Sequence, residues 1–148
     1  MTRTIASLTL AIALAWQPAV ADDAAADCLA LALYFEARGE PTDGQRAVAA
    51  VIFNRVSDAR FPSNVCAVVK DGGELPPCQF SWWCDGKSDR PRDRDAYAKL
   101  RTLAARWVAN PPRDATGGAL FFHARGMAEP WRVQRVRTAA IGSHVFYR

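Results

Sequence analysis

A glutamate stands where an apolar segment ends. Residues 28–35 read CLALALYF, and Glu36 follows directly after Tyr34 and Phe35. Apolar neighbours and the negative end of a helix both disfavour a charged carboxyl, so both raise its pKa. A carboxyl that stays protonated near neutral pH can act as the general acid of glycoside cleavage. The competing interpretation is an ordinary ion pair between Glu36 and Arg38 or Arg55, and spacing alone favours neither.

Aromatic and polar side chains lie between two closely spaced cysteines. Residues 78–84 read CQFSWWC, within a Gly-, Pro- and Cys-rich stretch at 71–92. Aromatic faces can stack on sugar rings, so this segment predicts a glycan-binding loop. Adjacent residues of an extended loop point in opposite directions, so we expect one tryptophan to be buried and the other to face the groove. The candidate contacts here are Gln79, Phe80, Ser81, Trp82, Trp83 and Asp85, and Asp85 is also a candidate base for plain hydrolysis.

Further candidates lie outside this loop. His123, at the end of a predicted strand, and Trp131 are candidate substrate contacts, against which stand ordinary packing roles. His144 is interpreted as structural. Glu40 is interpreted as structural too, either stabilising the start of the second helix or orienting Arg38.

The N-terminus and the cysteines indicate export. Arg3, an apolar stretch at 5–16 and AVA before Asp22 predict a signal peptide over 1–21, with a membrane anchor as the alternative. The four cysteines, all after residue 21, predict two disulfides, with three connectivities open. Zinc is the competing reading, but no cysteine pair has the CxxC spacing and both histidines are remote. The four cysteines predicted to form disulfides are Cys28, Cys66, Cys78 and Cys84.

Charge and length limit the function classes further. The formal charge of +4 is mild, and the arginines are spread among acids, which is a weak basis for nucleic-acid binding. The sequence implies no metal and no cofactor. At 148 residues, we expect one domain, over 22–148 after cleavage.

The pattern of elements predicts an α+β fold. Residues 22–26 read as a tether, after which Asp27 caps a helix over 28–38 with Gly39 as a left-handed end. Thr42 and Gln45 predict a capping box for a second helix. A short helix from Ser63 and a long one over 93–109 follow, and strands are expected at 119–124, 136–141 and 144–148.

Several separated motifs carry a family resemblance. The segment YFEARGEPTDGQRAVAAVIFNRV resembles the signature of the SleB-type cell wall hydrolases, and FPSNVCAVV, CQFSWWCDG, ATGGALFFHA, PWR and IGSHVFYR continue it over about 28–148. The resemblance implies a mainly helical, lysozyme-like core followed by a small antiparallel sheet. It also implies one catalytic glutamate, Glu36. The implied reaction is lytic transglycosylation of peptidoglycan, in which the muramyl 6-hydroxyl attacks the anomeric carbon.

This chain departs from the family pattern near the glutamate. Relatives often have a histidine where Phe35 stands, and often read ATHYH where this chain has ALFFHA. Both changes predict a more apolar pocket.

Two other functions compete with glycan cleavage. One is a peptidoglycan amidase or endopeptidase, which would need a zinc cluster or a free thiol beside a histidine. The other is a non-catalytic, disulfide-stapled module that binds glycans. For glycan cleavage as for its alternatives, we expect a monomer in the periplasm or envelope of a bacterium, without a stable membrane anchor after signal cleavage.

Overall fold

A computed structural model describes residues 20–129, 131 and 133–148, and in these ranges helices precede a small sheet. The helices are α1 (Val20–Ala37), α2 (Thr42–Val56), α3 (Val65–Val69) and α4 (Arg94–Ala109), with a 3-10 turn at Ser81–Trp83. The strands are β1 (Phe121–Ala124), β2 (Arg137–Ile141) and β3 (His144–Tyr147). The predicted α+β class and the order of its elements are confirmed.

Helix α1 forms the centre of the helical layer. It packs against α2, α3 and α4, most extensively against α4. Leu29 and Leu33 are fully buried, and Tyr34 is nearly so. Burying a leucine side chain contributes about 2 kcal/mol. The apolar run therefore fixes the end of α1, where Glu36 stands, inside the fold.

The start of α1 differs from the prediction. Residues 22–26 are helical rather than a tether, and Asp27 lies inside the helix instead of capping it. Its carboxylate pairs with Arg101 of α4, which also contacts Asp23 Oδ1 at 3.1 Å. This tertiary ion pair overrides the local capping preference. Gly39 has a negative φ, so the predicted left-handed end is wrong as well.

The predicted signal peptide falls almost wholly on residues outside the described ranges. Cleavage after Ala21 stays a prediction. No helix within the described ranges combines the length and the apolar character that a membrane crossing requires.

The caps of the other helices follow local chemistry with one exception. Asn64 accepts a hydrogen bond from Ala67 N at 2.9 Å, and Asp93 accepts one from Ala96 N at 2.9 Å. The predicted capping box of α2 is wrong, because Thr42 is already helical and Pro41 occupies the cap position. Gln45 Nε2 donates instead to the carbonyl of Glu40 at 3.0 Å.

The sheet is antiparallel with strand order β1-β3-β2. Phe146 of the central strand is fully buried against Ala47 and Val51 of α2. In the register of β1 and β3, His123 lies opposite Val145 and Phe121 opposite Tyr147. The sheet is thereby held against α2, with one end close to the end of α1.

Two disulfides brace the fold, as the cysteine count predicted. Cys28–Cys66 joins α1 to α3. Cys78–Cys84 closes the segment 78–84, which we call the aromatic loop. All four cysteines are thus paired, and zinc coordination by them is excluded. Because all four cysteines form disulfides, none of them offers the free thiol that a cysteine nucleophile requires.

Candidate active site

A cavity of about 700 Å³ lies between the end of α1, the aromatic loop and the sheet. Glu36 comes from α1 and Arg55 from α2, while β1 and β3 supply His123 and His144. The full lining consists of Glu36, Arg55, Pro77, Cys78, Gln79, Phe80, Ser81, Phe121, Phe122, His123, Ala124, Met127, Trp131, Arg135 and His144. Glu36 is the only carboxyl-bearing side chain among these described residues.

Burial controls the protonation of Glu36. Its carboxyl is partly exposed to the cavity, and removal from water raises its pKa from 4.5 to about 7. The charge of Arg55 and the indole N–H of Trp82 both lower this pKa, but less than burial raises it. The protonated form of Glu36, which is the form that can donate a proton, is therefore populated much closer to neutral pH than in an exposed glutamate.

The alternative of an ordinary ion pair at Glu36 is not supported. Among the residues described, no lysine or arginine lies within salt-bridge distance of its carboxyl. Arg38 instead donates a hydrogen bond to the Tyr34 hydroxyl at 2.7 Å, and its guanidinium lies 4.8 Å from the centre of the Tyr34 ring. The guanidinium of Arg38 therefore binds Tyr34 and not Glu36.

Arg55 is a buried charge beside the cavity. Only 3% of its surface is exposed, and Nε donates to the carbonyl of Leu120 at 2.8 Å. Its Nη1 is buried and makes no hydrogen bond to any residue that the structure describes. The guanidinium lies 5.2 Å from the ring centres of Phe61 and Phe80. Burial lowers the pKa of Arg55 to about 10, which still leaves it charged at neutral pH.

The aromatic loop places its two tryptophans differently from the prediction. Trp82 is buried and stacks on Phe35. Its Nε1 has no hydrogen-bond partner within 3.5 Å among the described residues, although the indole N–H is close enough to Glu36 to lower the pKa of that carboxyl. Trp83 does not line the cavity; it packs on the core beneath Lys70, whose Nζ is 4.9 Å from the ring centre. The segment forms a 3-10 turn, in which neighbouring side chains do not alternate as in a strand.

Asp85 does not join Glu36 either. It lines a separate cavity of about 340 Å³ together with Tyr34, Phe35 and Trp82. Its Oδ1 accepts a hydrogen bond from the backbone N–H of Lys87 at 2.9 Å. The role of Asp85 as a base for hydrolysis is therefore not supported by its position.

Five of the predicted contacts do meet in the cavity with Glu36. His123 stacks on Tyr147 with ring centres 5.3 Å apart, and its Nε2 lies 2.9 Å from the Tyr147 hydroxyl. Trp131 meets both rings edge-on, at 5.6 Å from His123 and 5.1 Å from Tyr147. The five are Gln79, Phe80, Ser81, His123 and Trp131.

Several lining residues were missed from the sequence. His144, interpreted as structural, is 6% exposed and lines the cavity, and burial lowers its pKa. Arg55 was considered only as an ion-pair partner. Arg135 carried no signal, because its main contact, Phe121, lies on β1 and is brought to it only by the fold. The other residues missed are Pro77, Phe121, Phe122, Ala124 and Met127.

Glu40 is structural, but its partner is neither the α2 cap nor Arg38. Its carboxylate accepts hydrogen bonds from Ser143 N, at 3.0 Å to Oε2, and from the Ser143 hydroxyl. These bonds lower the pKa of Glu40. A Cβ on Gly142 would come 1.8 Å from Glu40 Oε2, so a glycine is needed for this approach. Glu40 thus fastens the β2–β3 turn, directly before His144, to the end of α1.

Comparison with known proteins agrees with this geometry. The sequence model of the family described as Cell Wall Hydrolase matches residues 39–147. The chain belongs to the cell wall hydrolase family. The match begins three residues after Glu36 and includes the aromatic loop and the whole sheet.

Two solved structures match a larger share of the chain than the family model does. The catalytic domain of the Bacillus cereus SleB protein is 34% identical, with a TM-score of 0.61 over 86% of this chain and 90% of that chain. The catalytic domain of the germination-specific lytic transglycosylase SleB from Bacillus anthracis is 31% identical, with a TM-score of 0.62 over 88% and 97%. The resemblance to SleB-type proteins is confirmed.

Two curated relatives are named spore cortex-lytic enzyme. The protein of Bacillus subtilis is 33% identical over 118 residues, which is 80% of this chain and 35% of the relative. That of Oceanobacillus iheyensis is 37% identical over 120 residues, or 80% and 39%. This chain therefore spans less than two fifths of the length of these relatives.

Proposed function

We propose that this protein cleaves peptidoglycan glycan strands between N-acetylmuramic acid and N-acetylglucosamine, with Glu36 as the general acid. The observation that carries the proposal is the state of Glu36. It lies in a cavity without an ion-pair partner among the described residues, and burial raises its pKa to about 7. Similarity to SleB catalytic domains, one of them titled a lytic transglycosylase, supports the same reaction.

The reaction begins with proton transfer from Glu36 to the bridging oxygen. As this proton moves, the bond between the muramyl anomeric carbon and the oxygen breaks, leaving positive charge on the ring. The muramyl 6-hydroxyl attacks the anomeric carbon, and its proton goes to the Glu36 carboxylate, which restores the acid. The products are a 1,6-anhydromuramyl end and a free N-acetylglucosamine 4-hydroxyl. Between the two proton transfers, the charge of Arg55 and the N–H of Trp82 stabilise the Glu36 carboxylate.

The cavity lining supports a nucleophile supplied by the substrate. Retaining glycosidases use a second carboxylate about 5 Å from the acid, and inverting ones use one at about 6.5–9.5 Å. Among the described lining residues no second carboxyl accompanies Glu36, and Asp85 lines a different cavity. Attack by the muramyl 6-hydroxyl needs neither. Plain hydrolysis is the second candidate, since a water can enter a cavity of about 700 Å³.

The aromatic groups of the cavity give the strand its binding surface. Trp131 and His123 line the cavity and pack against the buried Tyr147, and Gln79 and Ser81 add polar groups to the lining. Aromatic rings of this kind present apolar faces with polar edges to a ligand. We propose that the protein works as an exported monomer in the bacterial envelope, an oxidising setting that suits its two disulfides.

The decisive experiment is product analysis with purified protein. Wild-type protein is incubated with peptidoglycan sacculi, and the released muropeptides are identified by mass spectrometry. We expect 1,6-anhydromuramyl ends, and a rate at least about 100-fold lower for Glu36→Gln. Glu74→Gln, which changes an exposed carboxyl of the 71–77 loop, serves as the control and should keep the wild-type rate.

Each other result identifies a different activity. Reducing muramyl ends would mean hydrolysis, with Glu36 still the acid. Free stem peptides without new glycan ends would mean an amidase. Tight glycan binding without any product, unchanged in Glu36→Gln, would mean a binding module.

A further inference from the structure

Arg55 and Arg135 both lie close to the ring of Phe121 in the cavity lining. The Arg135 guanidinium carbon lies 3.4 Å from the centre of the Phe121 ring, and that of Arg55 lies 5.7 Å from the same centre. Arg135 also lies 5.2 Å from the ring centre of Trp131. Both arginines line the cavity that contains Glu36. Two like charges are thus held close together at one wall of the site.

Each arginine keeps a buried donor without a partner. Arg55 Nη1 and Arg135 Nε are inaccessible to solvent, and neither makes a hydrogen bond to a described residue. Buried polar groups almost always have such bonds, so each exception calls for an explanation. No carboxylate lies within 4.0 Å of either guanidinium in the described part of the chain. The nearest carboxyl of the lining, Glu36, must be neutral to act as the acid.

The two groups repel each other when nothing lies between them. The charge of Arg135 is one of the influences that lower the pKa of Arg55, and Arg60 acts in the same way on Arg135. An anion bound in the cavity beside both guanidinium groups would remove this repulsion. Guanidinium groups match carboxylates best, because their N–H groups lie in one plane and can bond both oxygens.

We propose that Arg55 and Arg135 form a subsite for a carboxylate carried by the muramyl side arm of the substrate. The inference rests on the proposed function. N-acetylmuramic acid differs from N-acetylglucosamine by a lactyl ether, which ends in a carboxylate or continues into a stem peptide that bears carboxylates. The pair therefore distinguishes the two alternating sugars. It places the muramyl unit, and with it the 6-hydroxyl nucleophile, on the Arg135 side of Glu36.

Binding measurements in an inactive background test this subsite. Glu36→Gln protein is titrated calorimetrically with amidase-stripped glycan tetrasaccharides, whose lactyl carboxylates are free, and with tetrasaccharides that keep their stem peptides. The same ligands with all carboxylates converted to methyl amides are neutral controls. We expect the preferred carboxylate ligand to bind at least tenfold more tightly than its methyl amide. Adding Arg135→Met should abolish that preference, so that the ratio of the two affinities falls to about one.

The control variant is Arg137→Met. Arg137 is an exposed arginine two residues away that does not line the cavity, so this change should keep the preference. Arg55→Lys, which keeps the charge but not the planar donors, should retain part of it. Tighter binding of stripped strands would identify the lactyl carboxylate as the ligand, and tighter binding of peptide-bearing strands would identify the stem.

Two results would overturn the subsite. One is equal affinity of the Glu36→Gln protein for charged and neutral ligands, and the other is a preference that survives Arg135→Met. Failure of the proposed function would look different: wild-type protein would leave the strands uncut, while the carboxylate preference of Glu36→Gln protein would remain.

Discussion

Phe35 stacks face to face on Trp82, with ring centres 4.7 Å apart and ring planes 17° apart. Phe35 is the residue before Glu36, so the stack fixes the indole close to the carboxyl. Trp82 also contacts Trp83 edge-on, with ring centres 6.0 Å apart. Both tryptophans lie in the loop that the Cys78–Cys84 disulfide closes, which restricts their movement. From this position the indole N–H of Trp82 lowers the pKa of Glu36, against the larger opposing effect of burial.

Trp82→Phe should move the pH profile of the enzyme. The indole N–H lowers the pKa of Glu36, so a ring without that N–H lets the pKa rise. The alkaline limb of kcat/KM, which reports the free enzyme, should shift to higher pH, while the rate well below the limb stays within about tenfold of wild type. Trp83→Phe is the matched control, because Trp83 does not influence the Glu36 carboxyl. An unmoved limb in Trp82→Phe would contradict this role.

Glu36→Gln should stabilise the protein at alkaline pH. The pKa of Glu36 is about 7 when folded and about 4.5 when unfolded, so the folded state holds the extra proton between these values. Stability from this group is fully present below pH 4.5 and is lost as the pH rises through about 7. Glutamine cannot ionise and avoids that loss, worth up to about 3 kcal/mol.

Chemical denaturation at two pH values measures this effect. At pH 8 the free energy of unfolding of Glu36→Gln should exceed that of wild type, and at pH 4 the two should agree. Glu74→Gln, at an exposed position, should show no such difference. Equal stability of Glu36→Gln and wild type at pH 8 would mean that folding does not raise the pKa of the Glu36 carboxyl.

Gly142→Ala should break the contact between Glu40 and the β2–β3 turn. Gly142 has φ +57°, and its added Cβ would displace Glu40 Oε2 from Ser143. We expect a loss of about 2–3 kcal/mol, from backbone strain together with the lost hydrogen bonds. Activity should fall as well, because the turn holds His144 in the cavity.

Two comparisons isolate the contact from the strain. Gly73 has φ +77° and open space around it, so Gly73→Ala should cost only about 1 kcal/mol. In a Glu40→Ala background, Gly142→Ala should cost about the same small amount. A cost unchanged by the removal of Glu40 would show that the clash is not with this side chain.

The two disulfides should differ in what their removal affects. Replacing Cys28 and Cys66 by alanine opens a loop of 38 residues and should lower the free energy of unfolding by about 4 kcal/mol. Replacing Cys78 and Cys84 opens one of 6 residues and should cost about 2 kcal/mol. The second change should reduce activity more at temperatures where both variants stay folded, because that loop places Phe80 and Trp82. The reverse order of activities would contradict this assignment.

Local chemistry in the sequence predicted most of the elements. The all-apolar run before Glu36 indicated a buried helix, and Asp93 indicated the start of α4. The short segments after Gly118, separated by turn sequences, indicated the strands. Such signals are readable because they depend on residues within a few positions of one another. Where a remote partner competes, they fail: Asp27 binds Arg101 rather than capping a helix, and Glu40 binds Ser143.

By itself the sequence determined the family, the paired cysteines and the glutamate at the end of the apolar helix. The tertiary structure alone decided which groups surround that glutamate. It brings Arg55, Arg135 and His144 to the cavity and keeps Asp85 away from it. The physical reason is that a protonation state depends on burial and on charges a few ångströms away, and these neighbours come from parts of the chain up to about a hundred residues apart.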